Sequence, residues 1–248
     1  MVAITCALFD EAFELIRILK NEKIDGVSQF NGVIGHVPVS LFLTRPGFHR
    51  KAKFNKWLTQ HPFQAFINTG FAGSLQAGFK VGDICPISSV KHYKKRKKFS
   101  LKVHGKNSQK TYSLCTSPTI ANTLDEKEDI YHNSKCQLVD MEAWNLLEIL
   151  KKQKQDLPLR VVKIVGDLPE EGDLLKHEEK MRSYFSSFKT LEKLKIIGQT
   201  GISFVPLYKR KKMLQKKLYD AVLDSLSIMN INEKDFSANS IIIKLLEK

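Results

Sequence analysis

Residues 65–90 join two apolar runs through two glycine-bearing turns, and few folds accept that combination. The first run, Ala65, Phe66 and Ile67, breaks into Asn68-Thr69-Gly70-Phe71-Ala72-Gly73-Ser74. The second, residues 84–90, follows the turn Lys80-Val81-Gly82-Asp83. Short apolar runs without polar alternation are strands buried on both faces, as in parallel sheets. Sheets of that class bind ligands beyond the carboxyl ends of their strands, where glycine lets the backbone come close to a bound molecule. Residues 68–74 therefore read as a loop and as the first candidate site.

The flanking sequence repeats the same grammar. Residues 2–8 (VAITCAL) are a β-branched apolar run, a buried first strand, and Asp10 and Glu11 follow at once. Ala12, Phe13, Leu15, Ile16, Ile18 and Leu19 then fall at helical spacing, which predicts a helix from Glu11 to near Asn21 and puts Glu11 at the strand's ligand edge. Residues 26–43 read as two or three strands and residues 51–60, around Trp57, as a helix. Residues 91–110 are basic and turn-rich, an expected exposed excursion before a strand at 112–115 and a loop at 116–120. Thr123 with Glu126 three residues on marks a capped helix start. Residues 137–139 and 159–165 read as strands, the second ending on Gly166-Asp167. Residues 143–152, 178–194 and 209–227 read as helices, and 196–205, with two glycines, as a turn.

Strands alternating with helices predict an α/β fold: one mixed, twisted central sheet flanked by helices over residues 1–188. A basic helical C-terminal extension, residues 189–248, is expected to pack on the same domain. A chain of 248 residues with 42% apolar composition can bury one full core. No run of about 18 apolar residues is present to cross a bilayer, and the acidic N-terminal stretch is unlike a signal peptide, so a cytoplasmic location is expected. Cys6, Cys85, Cys115 and Cys136 are far apart, with no histidine at ligand spacing. They read as buried free thiols, with no metal site implied. The net charge of +14 is dispersed, with clusters only at residues 94–98 and 209–212, and no aromatic residues alternate with them as a base-stacking platform would need. That pattern fits a solvated basic face better than a nucleic-acid groove, and leaves open a weak contact with an anionic membrane surface.

Three acidic residues stand at strand ends: Glu11, Glu142 and Asp167. Carboxylates at the carboxyl ends of neighbouring strands converge on one crevice, an arrangement suited to acid/base chemistry. Each also has a plain structural reading, Glu11 and Glu142 as first-turn helix residues favoured by the dipole and Asp167 as a turn cap before Pro169.

Three stretches together resemble the purine nucleoside phosphorylase and nucleosidase superfamily, in particular the 5'-methylthioadenosine/S-adenosylhomocysteine nucleosidases: Asn-Thr-Gly-x-Ala-Gly-x-Leu with Lys-Val-Gly-Asp-Ile at 68–84, Val-Asp-Met-Glu-Ala at 139–143, and the strand ending in Gly166-Asp167. The resemblance implies cleavage of the N-ribosidic bond of an adenosyl-type purine nucleoside by water, with no cofactor, in a homodimer. It assigns Asp167 as the acid at the purine and Glu11 as the base that activates water. Glu142 would grip the ribose hydroxyls, Met141 would pack beneath the ribose, and Asp140, Phe71, Ala72, Gly73 and Ile120 would complete the binding site. Apolar walls around Asp167 are expected to favour its protonated form. Asp10-Glu11 stand where phosphorylases of the superfamily carry a Gly-Asp-Pro type loop, which favours hydrolysis, with Arg45 and Arg50 left as candidate phosphate ligands. Four positions depart from the pattern: Phe71 for serine, Asp140 for glutamate, Lys163 for arginine and Gly166 for serine. They leave open a futalosine-type or hopanoid-linked adenosyl substrate, or a nucleoside-binding homologue without turnover.

Overall fold

The computed structural model describes residues 1–24, 27–102, 110–153, 157–169 and 205–229. The helix expected at 178–194, nearly all of the turn at 196–205 and the boundary at 188/189 lie outside these residues. Eleven strands run in chain order as β1 (Val2–Cys6), β2 (Lys20–Ile24), β3 (Val27–Ile34), β4 (Val37–Leu43), β5 (Ala65–Asn68), β6 (Phe71–Ser74), β7 (Ile84–His92), β8 (Lys95–Ser100), β9 (Tyr112–Thr116), β10 (Leu138–Asp140) and β11 (Leu159–Asp167). Among the described residues the α-helices are α1 (Phe13–Ile16), α2 (Lys51–Gln60), α3 (Leu124–Ser134), α4 (Ala143–Lys152) and α5 (Val205–Ile228).

The strands form one mixed sheet in the order β2-β3-β4-β1-β5-β11-β6-β10-β9-β7-β8, and β11 also pairs with β7. β1 lies parallel between β4 and β5. β11 joins the two halves of the sheet: Leu159 to Val161 pair with β5, Val162 to Ile164 with β7, and Ile164 to Asp167 with β6. This mixed α/β architecture is the one expected from the sequence, and the expected strands at 2–8 and 159–165 and helices at 51–60 and 143–152 are all present.

Three local expectations need correction. The helix after β1 is a single turn, because Lys20 to Ile24 are drawn into an antiparallel ladder with β3 in which Lys20 faces Asn31. Phe71 to Ser74 are not a loop but β6, held between β10 and β11, so only Thr69 and Gly70 turn between β5 and β6. The basic segment after Val90 is not an excursion over its whole length: β7 continues to His92 and returns as β8, where the ring of Phe99 lies 4.6 Å from that of Trp144. In each case strand pairing at long range outweighed local composition.

Helix α5 buries Leu214, Leu218, Ala221, Val222 and Leu226 in the same cluster as Ile4, Leu41, Ile67, Val162 and Ile164 of the sheet. Arg160 of β11 reaches Ser225 and Asp224 on that helix. Its charges lie along the other face, the amphipathic division that makes a basic helix part of a core. Among the described residues no helix is long and apolar enough to cross a membrane. Leu218 has no exposed surface, so Leu218→Ala should cost about 2–5 kcal/mol of unfolding free energy in a denaturant titration. A loss under about 1 kcal/mol would show that α5 merely rests on the sheet.

Candidate active site

All nine residues singled out from the sequence, Asp167, Glu11, Glu142, Met141, Asp140, Phe71, Ala72, Gly73 and Ile120, line one cavity, together with Pro46 and Thr119 among others. The cavity lies beyond the carboxyl ends of β1, β10 and β11, where a sheet of this kind presents its strand ends.

Glu11 is held by four donors. Its Oε2 accepts from the backbone N–H groups of Ala7 (3.2 Å) and Leu8 (3.0 Å) and from Cys6 Sγ (3.2 Å), and its Oε1 accepts from Phe71 N–H at 3.1 Å. The last contact depends on Gly70, whose φ of 142° turns the chain so that the next N–H points at the carboxylate. A carboxylate oxygen accepts at more than one site, so Oε1 keeps capacity for a further donor from the cavity. Beside it, burial and the carboxylate of Glu11 push the Cys6 thiol well up, which leaves it a neutral donor.

Glu142 is buried at the start of α4, its Oε1 accepting from Gly47 N–H (3.2 Å) and its Oε2 from Met141 N–H (3.3 Å). Gly47 is brought there by a bend at Arg45, whose φ of 62° and ψ of 155° are costly for a side-chain-bearing residue. Burial, then the neighbouring carboxylate of Asp140, raise the Glu142 carboxyl from 4.5 to about 8, against the pull of Lys163. Burial thus favours the protonated form of Glu142 at neutral pH.

Asp140 and Lys163 form a buried ion pair at 2.9 Å. Asp140 also accepts from Thr116 Oγ1 at 2.7 Å and from Ala143 N–H at 3.0 Å, where it satisfies the first turn of α4. Oδ2 thus has two protein donors and Oδ1 one, and Asp140 lines the cavity with these contacts made. Burial works against the Lys163 ammonium, but Asp140, Glu142 and Glu11 together raise its proton affinity, so it remains a cation.

Asp167 ends β11 with its carboxylate over Gly73. A Cβ at residue 73 would lie 3.0 Å from Oδ2 and 3.3 Å from Oδ1, so only glycine leaves that volume empty. The expectation of purely apolar walls is corrected here: the ammonium of Lys127, on α3, contacts Asp167 from within the protein. Lys127 was not anticipated, although it shares a helix face with Ile130 and Ser134 at i+3 and i+7, a spacing visible in the sequence. Gly47 and Pro46 were missed as well, since nothing local ties them to residue 142.

The four departures from the family pattern resolve into two neighbouring pairs. Asp140 and Lys163 are each other's partners, a shorter acid matched to a lysine. Phe71 and Gly166 are also neighbours: a Cβ on residue 166 would stand 3.2 Å from Phe71 Cβ and 3.7 Å from its first ring carbon. The large residue stands where its neighbour has no side chain.

Two outcomes follow from this geometry. Gly166→Ser should cost about 1–3 kcal/mol by overpacking, and adding Phe71→Ser should recover part of it, because the ring leaves while the Cβ contact stays. Additive losses in a thermal-denaturation cycle would break the pairing. For Glu142, the folded carboxyl binds its proton more tightly than the unfolded one, so its contribution to stability is complete below about pH 4.5 and lost as pH rises toward 8. Glu142→Gln should therefore flatten the decline of melting temperature between pH 5 and 8, and an unchanged slope would contradict the buried proton.

Comparison with known proteins bears on the fold and the family. The family model described as the phosphorylase superfamily matches residues 1–127. Comparison with curated protein sequences gives no match. Among solved structures, a 5'-methylthioadenosine/S-adenosylhomocysteine nucleosidase from S. pneumoniae with a transition-state inhibitor superposes with a TM-score of 0.60 at 18% identity, over 71% of this chain and 90% of that one. A futalosine hydrolase mutant of Helicobacter pylori gives 0.57 at 14% identity, over 73% and 94%. An aspartate-to-asparagine variant of a Chlamydia trachomatis protein described as MTAN, bound to MTA, gives 0.59 at 15%, over 91% and 97%. At these identities the structures speak for the fold, and the sequence match over the first half speaks for descent: this chain belongs to the phosphorylase superfamily as a divergent member.

Proposed function

We propose that the protein hydrolyses the N-ribosidic bond of an adenosyl-type purine nucleoside, of the methylthioadenosine or adenosylhomocysteine kind, and releases adenine. The observation that carries this reading is the convergence of Glu11, Glu142 and Asp167, from three distant parts of the chain, on one cavity. Breaking the bond leaves electron density on the base and positive charge on the sugar, so groups at both ends bind the transition state more strongly than the substrate. Asp167 donates a proton to N7 of the base. The free lone pair of Glu11 Oε1 takes a hydrogen of the attacking water and then its proton, as the water oxygen bonds the anomeric carbon. Met141 packs beneath the ribose. Glu142 accepts the sugar hydroxyls, and because it starts protonated, binding expels its proton below about pH 8 and leaves an anion beside the developing cation.

Water is favoured over phosphate as the nucleophile because neither Arg45 nor Arg50 lines the cavity. Arg50 instead donates to Leu43 C=O at 3.4 Å. Phe71, reshaping the wall beside Glu11, supports a second reading in which the substrate is a futalosine-type or hopanoid-linked adenosyl compound. A homodimer is proposed with the same reading, because Leu8 and Ile120 are 44% and 51% exposed at the cavity, apolar surface that a second copy would cover. Four free buried thiols support a reducing, cytoplasmic setting.

The test is base release from a panel of adenosyl nucleosides, with and without phosphate. Release independent of phosphate is expected, lowered by about 10²-fold or more in Asp167→Asn and in Glu11→Gln. Wild-type rates in Asp167→Asn would show the acid is misassigned, and binding without release from any nucleoside would make the chain a non-catalytic homologue.

A further inference from the structure

Lys127 is a buried cation that the proposed chemistry does not use. It sits one turn into α3, after a capping box in which Thr123 Oγ1 accepts from Glu126 N–H and Glu126 accepts from Thr123 N–H. Its side chain is wholly inside the protein, on the face that also buries Ile130. An ammonium withdrawn from water persists only where opposite charge and acceptors replace its hydration. Here they are Asp167 Oδ2 and, at 2.8 Å, the carbonyl of Leu168. Lys127 does not line the cavity, and its side chain is 1% exposed against 19% for Asp167. The order from the inside outward is therefore lysine, carboxylate, cavity. Two bonds from one ammonium, to the side chain of residue 167 and the backbone of residue 168, also fix the end of β11 against α3.

We propose that Lys127 is a positioning residue that sets the proton occupancy of Asp167 and so the pH range over which the base can leave. The proposal rests on the assignment of Asp167 as the acid. A cation in contact favours the carboxylate, so Asp167 takes up its proton at lower pH than a carboxyl without that neighbour. At cleavage the Asp167 O–H bond breaks and the N7–H bond forms while the glycosidic electron pair goes to the base. Lys127 keeps its own protons and stabilises the carboxylate left behind, so the acid is stronger but loaded only toward acidic pH.

Other charges face the same carboxyl. Arg210 of α5 donates to Gly166 C=O next door, and Lys163 on β11 itself is turned to Asp140. Glu11 and Glu142 face it across the cavity. Gly73 and Val139 are uncharged, and Asp140, next to Val139 on β10, lines the same cavity with its charge paired to Lys163. Among the described residues Lys127 is the cation in direct contact.

The experiment follows the Asp167 carboxyl carbon by NMR across pH in aspartate-labelled protein, with Asp167→Asn as the assignment control. Wild type, Lys127→Met, Lys127→Gln and Lys127→Arg are compared, the glutamine keeping a donor for Leu168 C=O in case the methionine variant fails to fold. Loss of the cation should raise the midpoint by about one unit or more, and arginine should hold it near the wild-type value. The alkaline limb of base release should move upward in parallel, tenfold in proton concentration per unit. An unmoved midpoint in the methionine and glutamine variants overturns the proposal, as does a moved midpoint with an unmoved rate limb. A moved midpoint in a protein whose wild type releases no base leaves the electrostatic role of Lys127 standing and removes the proposed function instead.

Discussion

The buried ion pair between Lys163 and Asp140 is the interaction on which the rest of this site depends. Three carboxyl groups, Glu11, Asp140 and Glu142, lie within electrostatic reach of one another in the interior, where negative charge is costly unless a cation answers it. Lys163 is that cation, planted in the middle of β11 where the strand passes from one half of the sheet to the other. Removing one member of such a pair typically costs about 3–5 kcal/mol because its partner is left buried and unpaired. Through Asp140 the pair also organises the start of α4 and the hydroxyl of Thr116, which accepts from Trp144 N–H in turn. The geometry of Glu142 follows from that arrangement.

A common design joins the two ends of the cavity. Each end has a carboxyl group facing the cavity and a lysine set deeper: Lys163 within reach of Glu142, Lys127 behind Asp167. Their consequences differ. Lys163 is shared among three acids and leaves Glu142 holding a proton, whereas Lys127 faces Asp167 in direct contact. Environments that push neighbouring carboxyls apart in proton affinity are how one site separates its acid and binding roles. Glycine supports both ends where another residue would not fit, Gly70 by its backbone angle beside Glu11 and Gly73 by yielding space to Asp167.

Phe71 and Gly166, and Asp140 and Lys163, the four positions that differ from the pattern the sequence resembles, are neighbours in two pairs. Packed interiors tolerate exchanges that conserve volume or charge across a contact better than single ones. Identities of 14–18% to structures that superpose over most of their length are consistent with many such exchanges on one fold.

Much of the fold and the list of cavity residues were legible in the sequence by itself. Apolar runs at 2–8, 65–67 and 159–165 read as buried strands, residues 51–60 around Trp57 and 143–152 as helices, and the capping box of α3 was readable from Thr123 and Glu126, because these signals are local. What needed the tertiary structure was everything decided by pairing at a distance. The ladder with β3 ended α1 after one turn, the partners on either side of β6 turned an apparent loop into a strand, and β8 folded a basic segment back over Trp144. The protonation of Glu142 and the ion pair of Asp167 belong to the same class. Proton affinity is set by burial and by neighbours a few ångströms away, and Lys127, forty residues before Asp167 in the chain, becomes its neighbour only once α3 is laid against the end of β11.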